Sequence, residues 1–331
     1  MWLLLLLVFG LIFLYRWYRQ SLILNNLTDK YVLITGCDTG FGNLLAKQLD
    51  KRGMKVLATC LTSHGAENLK KETSSRLQTM ILDITDSKNV SAVTERVSSI
   101  VGNAGLWGLV NNAGYVLGYA PNEWQKKEDF LKVLDVNLIG LIDVTVHLLP
   151  LVRKAKGRIV NVSSSLGRLV LIGGGYSVSK YGVEAFSDGL RRELCHFGVK
   201  VSIIEPGCFL TMMTMSADAH RNNLKRLWEN LPTGTKESYG KQYFDQFEKL
   251  LMGLVKIANP KTYKVTNCME HALTAVHPWT RYSPGWDAKL FYIPVSYLPT
   301  VLSDYLLCRS APKPAHEETL TEQRTTVAES G

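Results

Sequence analysis

From Tyr31 to Gly207 short apolar runs alternate with stretches whose apolar residues recur at helical spacing. YVLIT (31–35), KVLATCL (55–61), RLQTMILDI (76–84), LWGLVNNAG, GRIVNVSS and VKVSIIEPG read as six strands. They are apolar almost throughout rather than alternating, the mark of strands covered on both faces. LLAKQLDKRG, ending at Gly53, and AENLKKETSS read as helices between them, as do Ser87–Val101, Lys127–Lys154 and Tyr176–Phe197. Strand–helix alternation of this kind predicts an α/β fold with a doubly wound parallel sheet, because each parallel crossover must be right-handed.

The two ends depart from this pattern. Residues 1–15 are almost unbroken apolar sequence, followed by Arg16, Trp17, Tyr18 and Arg19. The run is short for a bilayer span, but its aromatic and basic flank suits the interface, so residues 1–24 are expected to form an N-terminal membrane anchor helix. A cleaved leader would carry its basic residues before the apolar run. A second apolar stretch, Leu290–Leu307, is interrupted by Pro294, Pro299 and Asp304 and is expected to pack on the body or dip into the membrane interface. Residues 28–310 form one expected catalytic domain, with its variable part, about 208–264, as a substrate lid. The polar stretch 311–331 reads as a disordered tail.

Composition removes other classes. The net charge is +9, but Lys and Arg are dispersed, which points to a membrane surface rather than nucleic acid. Six scattered cysteines without a CxxC pair read as structural thiols. Seven histidines without HExxH or other metal spacing give no metal site, and they read as structural or surface residues.

The first strand runs directly into Thr35-Gly36-Cys37-Asp38-Thr39-Gly40-Phe41-Gly42, and a helix follows. Glycines there let the backbone turn tightly and approach a pyrophosphate at a helix N-terminus. The spacing is TGxxxGxG, not GxGxxG. Further along come Asn112-Ala113-Gly114 after the fourth strand, Asn137, a serine cluster at Ser164, Tyr176 four residues before Lys180, and Pro206-Gly207 with Thr211. Each alone has an ordinary reading: a turn, a cap, or two residues that share a helix face. In this order they resemble the short-chain dehydrogenase/reductase family, with its Rossmann-like sheet. GGGYSVSKYGVEAFSDGLRRE, CMEHAL and RYSPGWDAKLFY are similar to the microsomal retinol and 3α- and 17β-hydroxysteroid dehydrogenase branch, which extends the likeness to about Leu307.

The resemblance implies roles. Ser164, Tyr176, Lys180 and Asn137 would be catalytic. Thr35, Gly36, Asp38, Thr39, Gly40, Phe41, Gly42, Asp83, Asn112, Ala113, Gly114, Lys180, Pro206, Gly207 and Thr211 would bind a nicotinamide dinucleotide. Ser164 would hold the substrate oxygen, Tyr176 would take its proton, and Asn137 would support a water that links Lys180 to solvent. Tyrosine needs a nearby cation to act near neutrality, and Lys180, one helical turn on, can supply it. Asp83 meets the adenine by resemblance and reads on its own as a helix N-cap. The end of the second strand, Thr59-Cys60-Leu61-Thr62, holds neither an acid nor a base. The branch implies NAD, and the stretch leaves NADP open.

Met212, Met213, Met215, Leu227, Trp228, Tyr239, Tyr243 and Phe247 are expected to cap the domain or close over a greasy retinoid or steroid. The favoured function is therefore reversible oxidation of a hydrophobic alcohol with NAD at the endoplasmic reticulum membrane. An NADPH-driven carbonyl reductase is the rival enzyme, and an idle lipid-binding or scaffold protein is the rival of another class. Family members often pair through the helices bearing Asn137 and Tyr176, which implies a homodimer. Basic residues after the anchor place the body in the cytosol. Sequons at Asn26, Asn89 and Asn161 would then stay unmodified, the last also because its strand is buried.

Overall fold

The computed structural model describes residues 2–116, 119–211, 217–309 and 311–315. Met212, Met213, Met215 and the tail from 316 lie outside the described residues. Seven parallel strands form one sheet in the order β3-β2-β1-β4-β5-β6-β7. They are β1 (Tyr31–Ile34), β2 (Lys55–Cys60), β3 (Leu77–Ile81), β4 (Gly108–Asn111), β5 (Arg158–Val162), β6 (Lys200–Ile204) and β7 (Arg281–Tyr282). The order reverses between β1 and β4, which pair through Leu33 and Leu109. A crevice opens beyond the carboxyl ends of the strands at such a switch point.

Side chains of successive strand residues point to opposite faces, so a sheet covered on both sides needs apolar residues at every position. Val32 and Ile34 enter one core with Leu45, Leu49, Val265 and Met269. Leu33 enters the other with Val93, Val97, Val144, Leu148 and Leu190. The first core is covered by α2 (Gly40–Lys51), α3 (Ser63–Lys71) and, later in the chain, a helix over Tyr263–Thr274. The second is covered by α4 (Ser87–Val101), the long helical run 127–154 and α7 (Gly175–Leu194).

The long run expected over Lys127–Lys154 is continuous but not uniform. It passes from α5 (Lys127–Leu134) through a π-helical turn, Asp135–Gly140, into α6 (Leu141–Lys154). Single π turns inside α-helices commonly mark functional positions. Gly140 lets the turn lie against the loop that follows β3: a Cβ there would come within 2.7 Å of the Ile84 carbonyl oxygen. The lid region holds α8 (Ala217–Glu229) and α9 (Thr233–Lys256), the latter kinked at Gly240 where φ is 76°. The helix Tyr263–Thr274 is α10.

The N-terminal α1 (Trp2–Ser21) is tied to the body at its C-terminal end. Ile23 bridges Ala275 in antiparallel fashion, Val276 donates to the Leu22 carbonyl at 2.8 Å, and Leu24 donates to the Thr274 carbonyl at 2.8 Å. At the far end of the chain the helical run continues through Pro294 to Val295, and Pro299 precedes the next helix. A π turn, Ala288–Tyr292, precedes Pro294, and α11 (Thr300–Cys308) follows Pro299. β7 was not legible in the sequence. It is two residues long, and its Arg281 is paired with acids rather than apolar.

Candidate active site

Two turns meet at the switch point. Thr35 Oγ1 accepts from the backbone N–H groups of Asn112 and Ala113, both at 3.0 Å. The Asn112 amide donates to the carbonyls of Thr35 (2.9 Å) and Gly36 (3.1 Å). Gly36 has φ +69°, and a Cβ there would come within 2.8 Å of the Ala113 Cα, so the clamp requires glycine. Gly40 has φ +65° with open space where a side chain would be. The Thr39 side chain makes no capping hydrogen bond to α2. The first amides of α2 therefore face an uncrowded turn that suits a phosphate.

Asp38 closes the same turn on the second strand. Its carboxylate accepts from the Leu61 N–H (2.8 Å), the Thr62 N–H (3.0 Å) and the Thr62 hydroxyl (2.7 Å). The end of β2 therefore does carry an acid, delivered from the glycine turn rather than from its own sequence. Asp83 accepts from the N–H and hydroxyl of Thr85. The N-cap of α4 is Asp86, which accepts from Lys88 N–H at 2.9 Å, so the capping reading of Asp83 is corrected.

A cavity of about 720 Å³ fills the crevice. Gly36, Asp38, Thr39, Gly40, Phe41, Asp83, Asn112, Ala113, Gly114, Pro206, Gly207 and Thr211 line it, together with Ser164, Tyr176 and Lys180. Thr35, Gly42 and Asn137 stand behind that wall. Asn137 is fully buried within the π turn. Its amide oxygen accepts from Tyr115 N–H (2.7 Å), and its NH₂ donates to the Tyr115 carbonyl (2.9 Å) and to Ser179 Oγ (3.0 Å). It thereby fastens the loop after β4 to α7, the helix that carries Tyr176 and Lys180.

Tyr176 lies in the first turn of α7, and Lys180 follows one turn later with its Nζ 5.7 Å from the Tyr176 ring centroid. Lys180 donates to the Val162 carbonyl at 2.9 Å. Burial pushes the Tyr176 phenol up to about 12, a rise that the Ser164 hydroxyl partly offsets. Burial also pushes the Lys180 ammonium down to about 8, against the attraction of Glu184 one turn further along. The low-dielectric site thus shifts both groups toward their neutral forms, and with its pKa near 8 Lys180 still carries its proton at pH 7. Glu184 belongs to an ion-pair network under the cavity floor. It pairs with Arg281, which also reaches Glu205 and Asp188, each at 2.8 Å.

Several cavity residues were not singled out in the sequence. Tyr119 packs edge-on against Tyr176 with centroids 5.6 Å apart, and His220 of α8 packs against Tyr119 at 5.9 Å. His220, which is buried, also lines the cavity. Cys208 lines it too, with its N–H donating to Asp287 at 2.6 Å. The lid divides its labour. Trp228, Tyr239, Tyr243 and Phe247 pack on Trp124 as a core of their own, whereas Leu251, Leu254 and Val255 from the last turns of α9 face the cavity.

The model for short chain dehydrogenases matches residues 30–222. The chain belongs to the short-chain dehydrogenase family. This short-chain dehydrogenase is 57% identical over 315 residues to retinol dehydrogenase 7 of Rattus norvegicus, covering 95% of this chain and 99% of the relative. It is 58% identical to retinol dehydrogenase 16 of Mus musculus, at the same coverage. It is 57% identical to 17-beta-hydroxysteroid dehydrogenase type 6 of Homo sapiens, again over 95% and 99%. Among solved structures, a short-chain dehydrogenase from Streptomyces avermitilis superposes with a TM-score of 0.67 at 25% identity, covering 84% of this chain and 95% of that one. The family binds nicotinamide dinucleotides. The open turn at Gly40, the uncapped α2 terminus and the acid at the end of β2 fit such a group.

Proposed function

We propose that this short-chain dehydrogenase oxidises a hydrophobic alcohol, retinol or a 3α-hydroxysteroid, with NAD. The observation that carries the reading is the Ser164–Tyr176–Lys180 wall in a largely apolar cavity beside the glycine turn. A nicotinamide held by the glycine turn and Asp38 would supply the hydride acceptor and, oxidised, positive charge beside Tyr176. The protein supplies the proton chemistry. Ser164 hydrogen-bonds the substrate oxygen and holds it at Tyr176. Tyr176 takes the hydroxyl proton, and Lys180 lowers the cost of the phenolate. Asn137 keeps α7 and the loop after β4 in register and supports the water through which Lys180 exchanges its proton with solvent.

Asp38 supports NAD over NADP. A carboxylate at the end of β2 suits two ribose hydroxyls and repels a 2′-phosphate. The relatives named for retinol and hydroxysteroids support the substrate class, and so do the apolar residues of α9 on the cavity. We assign residues 1–24 to the membrane anchor, 28–310 to the catalytic domain with its lid at about 208–264, and 311–331 to a polar tail. We place the protein on the endoplasmic reticulum membrane with its body in the cytosol. Leu131, Ile139 and Val146 on the α5–α6 run and Val178 and Tyr181 on α7 are exposed and apolar, which supports pairing of two copies there. A rate matrix of NAD and NADP against retinol and a 3α-hydroxysteroid tests the proposal. Turnover of at least one substrate, faster with NAD, is expected. No alcohol turnover with either cofactor would overturn it.

A further inference from the structure

The segment after β7 presents its apolar side to solvent. Trp286, Leu290, Tyr297, Val301, Leu302 and Tyr305 are each more than half exposed, and Val301 is 78% exposed. On α11 the arrangement is the reverse of an ordinary surface helix. Ser303 is buried and bonds back to the Thr300 carbonyl at 3.0 Å, while Val301, Leu302 and Tyr305 point outward. Contiguous apolar surface of this kind costs about 25 cal/mol per Å² in water and marks a place that something apolar covers.

Its position indicates what covers it. α1 is fastened to the body at residues 274–277, through the Ile23–Ala275 bridge and the Arg19–His277 hydrogen bond at 3.1 Å. Those residues lead directly into β7, the edge strand of the sheet, and the exposed segment begins four residues beyond it. The anchor and the apolar segment therefore flank one sheet edge. Trp286 and Tyr297 mixed with aliphatics, and Lys289 and Arg309 beside them, make the composition of a bilayer interface rather than of a subunit core. The segment is also backed by the cavity. Tyr292 and Val295 pack with Leu169, and Leu166, Leu171 and Leu307 join that cluster. Leu166, Leu171 and Tyr292 at the same time line the cavity.

We infer that the segment from Trp286 to Leu306 lies in the head-group and acyl boundary of the bilayer as a second membrane contact, and that lipophilic substrate passes from the bilayer to the cavity alongside it. The route rests on the proposed substrate class; the membrane contact does not. A lipophilic alcohol concentrates in the bilayer, so a cavity whose wall touches lipid avoids transfer of the substrate through water.

The test uses the full chain in phosphatidylcholine vesicles. With Cys195 and Cys308 replaced by Ser, an environment-sensitive fluorophore is placed at Val301→Cys and, for comparison, at Lys88→Cys on the exposed face of α4. Nitroxide-bearing lipids should quench the label at 301 at least fivefold more than the label at 88. Equal quenching, or crosslinking of 301 between two chains without lipid quenching, would overturn the inference and make the face an interface between copies. The variant Val301→Asp/Leu302→Asp, with the anchor intact, should lose at least fivefold in kcat/KM for retinol supplied in vesicles and less than twofold for retinol in detergent micelles. An equal loss in both would overturn the access route. If no alcohol is turned over at all, the proposed function fails, and the quenching result still decides the membrane contact.

Discussion

Replacing Lys180 with Met removes the cation nearest the phenol without changing the length of the side chain much. The ammonium lies 5.7 Å from the Tyr176 ring centroid. At an effective dielectric constant of about 20, two unit charges at that separation interact by about 3 kcal/mol. That is about two pKa units, or roughly a hundredfold in the fraction of phenolate at a given pH. The starting point is unfavourable, since burial has already pushed Tyr176 up to about 12. The assay is the initial rate of NADH formation from the alcohol at saturating cofactor, measured across pH. Lys180→Met should lower kcat about a hundredfold near neutrality and move the rising limb of the profile about two units toward alkaline pH. Lys180→Arg, which keeps the charge, should recover part of the rate. Saturating cofactor separates this effect from weakened nucleotide binding. A Lys180→Met enzyme with the wild-type limb and kcat would refute the electrostatic role. The limb belongs to the Tyr176–Lys180 pair, so its position is not read as the pKa of either residue alone.

Tyr176→Phe removes the proposed proton acceptor, so turnover should fall by ~10²–10⁴-fold at every pH. Nucleotide binding, followed by protein fluorescence, should be kept, and near wild-type turnover would refute the assignment. Asp38→Asn should raise the NADP/NAD ratio of kcat/KM at least tenfold, equivalent to about 1.4 kcal/mol; an unchanged ratio would remove Asp38 from cofactor choice. Lys180 has a folded-state pKa of about 8, below its ordinary 10.5, so its ammonium costs stability below about pH 8, and the cost fades as pH rises toward 10.5. In urea unfolding Lys180→Met should therefore gain about 3 kcal/mol at pH 7 and little near pH 10.5. A gain that does not shrink at the higher pH would point to packing instead. The Asn89 amide oxygen accepts from Asp83 N–H at 2.7 Å, and a cytosolic body would leave this sequon unmodified. Glycosidase treatment should produce no gel shift, and a shift abolished by Asn89→Gln would place the body in the lumen.

The strands β1 to β6 could be read from the chain because burial on both faces demands apolar residues at every position, a constraint that short runs such as YVLIT satisfy visibly. The glycine turn and the Tyr176–Lys180 pair are local in sequence, so their spacing alone places them on a turn and on one helix face. What the chain could not show was which distant side chains would share that space. The acid at the end of β2 comes from Asp38, 23 residues upstream of its Leu61 partner. Likewise α8 carries His220 to Tyr119, about a hundred residues apart in sequence, because of how the lid helices pack. Trp228, Tyr239, Tyr243 and Phe247 had the composition of a substrate cover, yet they pack in a cluster around Trp124, while the last turns of α9 reach the cavity. β7 is held by pairing with β6 and by the charges around Arg281, neither of which leaves an apolar run to read. Hydrophobic periodicity records how much of a residue is buried, not against what. That second fact is set by the docking of elements far apart in the chain, and only the folded structure contains it.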